Sequence, residues 1–273
     1  MEFIWNLIIG IWDLIKSMGG LMIFESGIIF STKLWQYKNL IHGISTKAYG
    51  NQSFLNSKFS EEETVKNREK FLSDIGIKLE KIVNVQLVHG NSIYDVKKSD
   101  AGRGARSRNS LIPQTDGLIT NVPDIYLMVT VADCLPILFY EPTKKVVGIA
   151  HAGWRGTTER VTEKMIQKMA QDYGCKKEEI IVFCGPAIGP CHYEIQQDVA
   201  SQFNKDFQAV RNEKTYLDLL GANKSQLLEN GIKMENIEFS NECTACHPYL
   251  YSSYRMEGES KYIAMAAVIG LRK

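Results

Sequence analysis

Residues 131–160 read VADCLPILFYEPTKKVVGIAHAGWRGTTER, and the fold is decided by how this stretch is divided. Residues 135–140 and 145–150 are short apolar runs separated by Glu141-Pro142-Thr143-Lys144, the turn chemistry expected between two strands. An antiparallel hairpin then sets Cys134, at the start of the first strand, and His151, at the end of the second, on one edge of a sheet. That is a chelating geometry.

After His151 comes Ala-Gly-Trp-Arg-Gly-Thr-Thr, followed by residues 159–173, in which Val161, Met165, Ile166 and Met169 recur at helical spacing. Thr157 or Thr158 is the expected N-cap. A glycine turn between a strand and a helix start presents backbone N–H groups to an anion, and Arg155 reinforces it. Each residue also has an ordinary reading: a cysteine in an apolar run is usually a small buried hydrophobe, and a histidine beside glycine is usually a turn residue. It is their joint placement that points to chemistry.

At 273 residues and 44% hydrophobic content, the chain is long enough to bury a sizeable core, and one main domain is expected. Lys+Arg of 32 against Asp+Glu of 31 leaves a net charge of +1, so no general electrostatic footprint for nucleic acid exists. Six cysteines without a recognisable secretory signal favour a reduced, cytoplasmic setting and thiol or metal chemistry over disulfides. The apolar segment at 3–15 lacks a basic flank and is too short for a bilayer span of ~20 residues, so stable membrane insertion is not expected. Residues 1–21 read as an appended extension and 22–273 as the catalytic domain.

Elsewhere, Ser60-Glu-Glu-Glu63 is a capping box that opens a helix running to about Ile75. Residues 82–88 read as a strand ending at His89, a third strand-end residue of the kind seen in Cys134 and His151. The loop carrying Ser45, Thr46 and Lys47 can hold phosphate or sugar hydroxyls, although a plain strand connection is the commoner role. Residues 97–114, rich in Gly, Ser and Arg, read as a mobile binding loop or lid, which makes Arg103 a candidate substrate contact. Residues 196–233 read as helical. Cys191 reads as packed, and Cys243-Thr-Ala-Cys246 as a metal half-site without a second pair at suitable spacing. His42 reads as structural.

The ordered motifs VHGNSI, DAGRGA, TDGLIT, ADCLPI, AHAGWRGT, CGPAIGPCHYEI and CTACHPYLYSSYR make residues 23–273 resemble the YfiH/YlmD-type laccase-domain family. That resemblance implies an α/β mixed (α+β) fold, with a central mixed sheet and flanking helices, similar to cysteine-hydrolase-like toxin domains. It implies His89, Cys134 and His151 as zinc ligands, and Arg155 in the Gly-Trp-Arg-Gly turn. It further implies phosphorolysis of purine nucleosides (adenosine, inosine, guanosine or methylthioadenosine) to base and pentose 1-phosphate, with adenosine deamination. The partners are therefore purine nucleosides and phosphate. The chain departs from the family pattern at Leu87, where Gln is usual, at Lys47, where Arg is usual, and at Tyr262-Ile263-Ala264, where Thr-Gly-Arg is usual.

Three protein ligands leave one zinc position open, the mark of a catalytic site. Arg155, with Lys47 or Arg103, is expected to hold phosphate, and Asp133 to orient a ligand or carry a proton. Two alternatives compete with phosphorolysis. A copper-dependent polyphenol oxidase needs many histidines, usually in H-x-H pairs, and five histidines with no such pair do not supply them; copper would be adventitious at the His/Cys/His site. A metal-independent cysteine hydrolase would use Cys134 as nucleophile and His151 as base. A zinc-stabilised binding module is the non-enzymatic reading.

Overall fold

The computed structural model describes residues 21–23 and 27–273; the apolar segment at 3–15 and almost all of the extension at 1–21 lie outside the described residues. The strands, in chain order, are β1 (Leu21–Ile23), β2 (Ile28–Ser31), β3 (Leu40–Ser45), β4 (Ile82–Asn84), β5 (Ile93–Asp95), β6 (Gly117–Thr120), β7 (Tyr126–Val131), β8 (Leu135–Glu141) and β9 (Val146–Ala152). There follow β10 (Ile181–Cys184), β11 (Glu194–Ile195), β12 (Gln208–Arg211), β13 (Lys214–Leu217), β14 (Ile237–Phe239) and β15 (Met265–Leu271).

The fold is mixed α/β, but the expected single central sheet is two. One six-stranded sheet runs β1-β2-β3-β15-β7-β4 and a second runs β14-β10-β8-β9-β6-β5, with β11-β13-β12 as a small third sheet. Both large sheets are mixed: β4 pairs parallel with β7, and β5 with β6 and β10 with β14 do likewise, while the other pairings are antiparallel.

Side-chain alternation explains why two sheets form. Along β7, Leu127, Val129 and Val131 point into one core while Tyr126 and Met128 point into another. Along β8, Leu138 and Tyr140 join the core of Leu127, whereas Ile137 and Phe139 face the opposite way. The two sheets thus pack face to face, and each outer face is covered by helices. Helix α1 (Glu61–Asp74) buries Phe71 and Leu72 on the first sheet; α2 (Val161–Tyr173) buries Val161, Met165, Ile166 and Met169 on the second. Strands buried on both faces carry continuous apolar runs, which is why residues 135–140 show no hydrophobic-polar alternation.

The expected hairpin forms, with Leu135 opposite Ala152 and Pro136 opposite His151. Ser60 caps α1 as expected, its hydroxyl accepting from the Glu63 N–H. The helix after His151 differs from expectation. Residues Trp154–Thr158 already form a helical turn behind Gly153, and Arg160, at φ 62°, breaks it before α2 begins. Thr157 donates back to the Gly153 carbonyl rather than capping.

Residues 196–233 are not continuously helical: Gln197–Ala200 is one turn, β12 and β13 form a hairpin, and only Leu219–Glu229 is a longer helix. Asn212 and Glu213 both take positive φ, the geometry of a two-residue hairpin turn. Residues 97–114 are pinned rather than lid-like. The fully buried Arg68 donates to the carbonyls of Gly104 and Ala105 and to that of Gln52, and Leu111 and Ile112 are buried. Among the described residues no helix is long and apolar enough to cross a membrane.

Candidate active site

Three chain segments meet at one edge of the second sheet. His89 sits at φ 61° in the connection between β4 and β5, Cys134 immediately precedes β8, and His151 lies in β9. Their ligand atoms all lie within 4.8 Å of one another. The His89 and His151 rings meet edge to face at 4.9 Å.

Asp116, just before β6, organises two of the three. Its carboxylate accepts from His151 Nδ1 at 2.9 Å and from the backbone N–H groups of Val88, His89 and Gly90. The bond to Nδ1 leaves His151 Nε2 facing Cys134 and His89, the arrangement of a metal-bound histidine oriented by a carboxylate. It also fixes the turn that carries His89.

Glycine makes the close approach possible. A Cβ on Gly153 would lie 3.0 Å from Cys134 Sγ and 3.2 Å from His89 Cδ2. On Gly156 it would lie 2.7 Å from the Gly90 carbonyl oxygen, so the Gly-Trp-Arg-Gly turn packs directly against the His89 turn.

The charges are coupled. Burial pushes the Cys134 thiol up, but the charge of His151 and hydrogen bonds from His151 and His89 outweigh it and bring the thiol down to about 6. Burial disfavours the His151 imidazolium, yet the Cys134 thiolate and Asp116 raise it to about 10. Burial likewise opposes the Asp116 charge, and His151 and the backbone N–H donors hold that carboxyl below its ordinary value. Two imidazoles and a low-lying thiolate, already convergent, fit a zinc ion with one position left open.

His89, Cys134 and His151 line a cavity of about 480 Å³ together with Asp133, Arg155, Arg255, Trp154, Tyr193 and Tyr262. A cavity of this size matches the ~300–1,000 Å³ range of small-molecule sites. Of the sequence candidates, His89, Cys134, His151, Asp133 and Arg155 are together here. Asp133, at φ 87°, has both carboxylate oxygens engaged, accepting from Thr244 Oγ1 at 2.6 Å and from the Arg255 backbone N–H at 2.7 Å. It thereby positions the turn bearing Arg255.

Ser45, Lys47 and Arg103 are not among the lining residues. The Ser45 hydroxyl is buried in the first sheet, accepting from the Ala266 N–H. Lys47 pairs with Glu257 at 2.9 Å and donates to the Pro248 carbonyl, and Arg103 pairs with Asp100. His42 is structural as expected: Nε2 accepts from the Ser31 N–H, and burial brings the imidazole down to about 3. Sequence reasoning missed Asp116 and Arg255, although both stand in the quoted motifs TDGLIT and CTACHPYLYSSYR.

Residues 38–272 match the family model described as multi-copper polyphenol oxidoreductase laccase. The chain belongs to this family. Within it, the chain is 32% identical over 218 residues to the purine nucleoside phosphorylase YlmD of Bacillus subtilis, covering 77% of this chain and 78% of that protein. It is 34% identical to the protein of the same name from Geobacillus stearothermophilus, over 77% of this chain and 80% of the relative. The adenosine deaminase RL5, from an unknown prokaryotic organism, is 27% identical over 67% of this chain and 72% of its own length. The crystal structure of YfiH from Bacillus licheniformis superposes with a TM-score of 0.87 at 27% identity, covering 92% of this chain and 99% of that one. The crystal structure of YlmD from Geobacillus stearothermophilus superposes with a TM-score of 0.86 at 29% identity, covering 93% of this chain and 100% of that one, so the double-sheet fold is that of YfiH and YlmD.

Proposed function

We propose that residues 22–273 form a zinc-dependent purine nucleoside phosphorylase that also deaminates adenosine. The observation that carries this reading is the convergence of His89, Cys134 and His151 with Arg155 and Arg255 around one cavity. The names of the YlmD relatives and of RL5 supply the substrate class.

His89, Cys134 and His151 hold the zinc, with Asp116 fixing the His151 tautomer. Held there, the ion supplies a Lewis acid for charge developing on a purine base. Arg155 stacks over Trp154 at 4.3 Å and Arg255 over Tyr193 at 5.1 Å, so both guanidiniums are held on aromatic rings at the cavity wall. Two such cations bind phosphate and aim an oxygen at the ribose C1′. The C1′–O bond forms as the C1′–N9 bond breaks, and its electron pair leaves on the purine. Tyr193, Tyr254 and Tyr262 offer apolar walls for base and ribose. Leu87 and Ala264, two departures from the family pattern, also line the cavity and bear on which nucleoside is preferred.

The phosphate assignment is tested by steady-state inosine phosphorolysis in Arg155→Ala and Arg255→Ala. Each is expected to raise the phosphate KM by about tenfold or more, the scale of one lost charge-assisted contact. Unchanged phosphate kinetics in both variants would remove the assignment.

One observation favours a second reading. Cys134, His151 and Asp116 form a thiolate–imidazolium–carboxylate chain, the constellation of a cysteine hydrolase. That reading leaves His89 without a role and predicts activity that survives chelation. Retained turnover after zinc removal, abolished by alkylating Cys134, would establish it.

A further inference from the structure

A second set of potential metal ligands lies outside the active-site group. The loop after β10 carries Cys191 and His192; the loop after β14 carries Cys243 and Cys246. Because β10 and β14 are adjacent and parallel, both loops leave the same end of the second sheet. They are zipped together by an Ala187–Cys243 bridge, with the Thr244 N–H donating to Ala187 and the Ala187 N–H to Glu242. The C-x-x-C pair therefore does have a partner pair, and Cys191 is exposed rather than packed.

We propose that Cys191, His192, Cys243 and Cys246 form a structural zinc site, separate from the His89/Cys134/His151 group. All four ligand atoms lie within 4.8 Å of one another. His192 Nδ1 stands 3.3 Å from Cys191 Sγ, 3.7 Å from Cys243 Sγ and 3.5 Å from Cys246 Sγ, and the Cys191 and Cys246 sulfurs are 3.5 Å apart. Tetrahedral zinc, with bonds of ~2.3 Å to sulfur and ~2.0–2.1 Å to nitrogen, sets ligand separations of about 3.5–3.8 Å. The four separations, from His192 to the three sulfurs and from Cys191 to Cys246, fall at or within about 0.3 Å of those values.

Two further features fit a metal thiolate. The Gly189 N–H donates to Cys243 Sγ at 3.2 Å, a bond that favours the anionic sulfur. Cys243 and Cys246 are also held in a tight turn by the Cys246 N–H donating to the Cys243 carbonyl, which points both sulfurs to one side. Four protein ligands leave no open position, so the site is structural, and three thiolates with one imidazole select zinc. A Cys191–Cys246 disulfide would leave Cys243 and His192 gathered for no purpose.

The site staples a wall of the active cavity. Ile188 and Tyr193, which line it, lie in the loop of Cys191 and His192; the Ile188 N–H donates to the Asp133 carbonyl, and Thr244, beside Cys243, bonds the Asp133 carboxylate.

Metal analysis of the full chain, purified under reducing conditions, tests the proposal independently of nucleoside turnover. Wild type is expected to carry two zinc ions per chain; Cys246→Ser and Cys191→Ser each carry one. The His89→Ala/Cys134→Ala double variant, which leaves the second site untouched, also carries one. Its cobalt-substituted form is expected to show the intense thiolate-to-cobalt absorption, and adding Cys246→Ser removes it. Should the Cys246 and Cys191 variants fail to fold, the double variant alone decides. No zinc in the double variant, iron in place of zinc, or a mass lower by two hydrogens from a Cys191–Cys246 disulfide would each overturn the proposal.

Discussion

The meeting of Cys134 and His151 on one sheet edge was legible because the turn at 141–144 fixed which edge they share. Asp116 was not legible, because its contacts are to backbone N–H groups of residues 88–90 and to a ring 35 positions away. Replacing it should loosen both histidines: Asp116→Asn is expected to lower zinc affinity by about 10–100-fold in competition titrations against a chromogenic chelator. The coupled charges give a second prediction. A thiol brought down to about 6 is ionised above that pH, and an imidazole raised to about 10 stays protonated below it, so the metal-free site is a zwitterion between the two. Iodoacetamide should therefore alkylate Cys134 in metal-free protein with a midpoint of about 6, well acid of the roughly 8.5 of a free thiol, and zinc should block the reaction. In the same window zinc must displace one proton, from His151, so its affinity should climb about tenfold per pH unit, read by titration calorimetry in buffers of different ionisation enthalpy.

Elements were legible where a local signal determined them and not where tertiary packing did. The hairpin of β8 and β9 and the capped α1 follow from turn and cap residues within a few positions. The glycine- and arginine-rich stretch at 97–114 looked mobile because the residue that holds it, Arg68, lies on another element. Arg68→Leu leaves the carbonyls of Gln52, Gly104 and Ala105 without their charged donor and is expected to cost about 3 kcal/mol in urea unfolding, with the active-site metal retained. The β12–β13 hairpin was missed because Asn-Glu is a weaker turn signal than Asn-Gly. Gly153 makes an opposite case, in which one small residue decides how close two elements come. Gly153→Ala should keep the fold but push Cys134 and His89 apart, and metal analysis is expected to show loss of the active-site zinc.

At the scale of the whole molecule, the cavity draws its walls from Ser53 to Ala264, so only the complete double-sheet fold assembles it. This is why Arg255 could not be assigned from sequence: it reaches the site through Asp133, across 122 positions of chain. Zinc binding at the meeting point of three segments is expected to stabilise the native state by mass action. At a free concentration of 100 times Kd the gain is about 2.7 kcal/mol, a rise in Tm of about 5 °C for a chain of this size, measured by scanning calorimetry with and without chelator.

The most direct test is product analysis of the zinc-loaded protein given inosine, with and without phosphate, beside Cys134→Ala and a chelated control. Hypoxanthine and ribose 1-phosphate formed only with phosphate, and lost in both controls, is the expected result. Inosine turnover that ignores phosphate or survives chelation, or no turnover of inosine at all, would contradict the account.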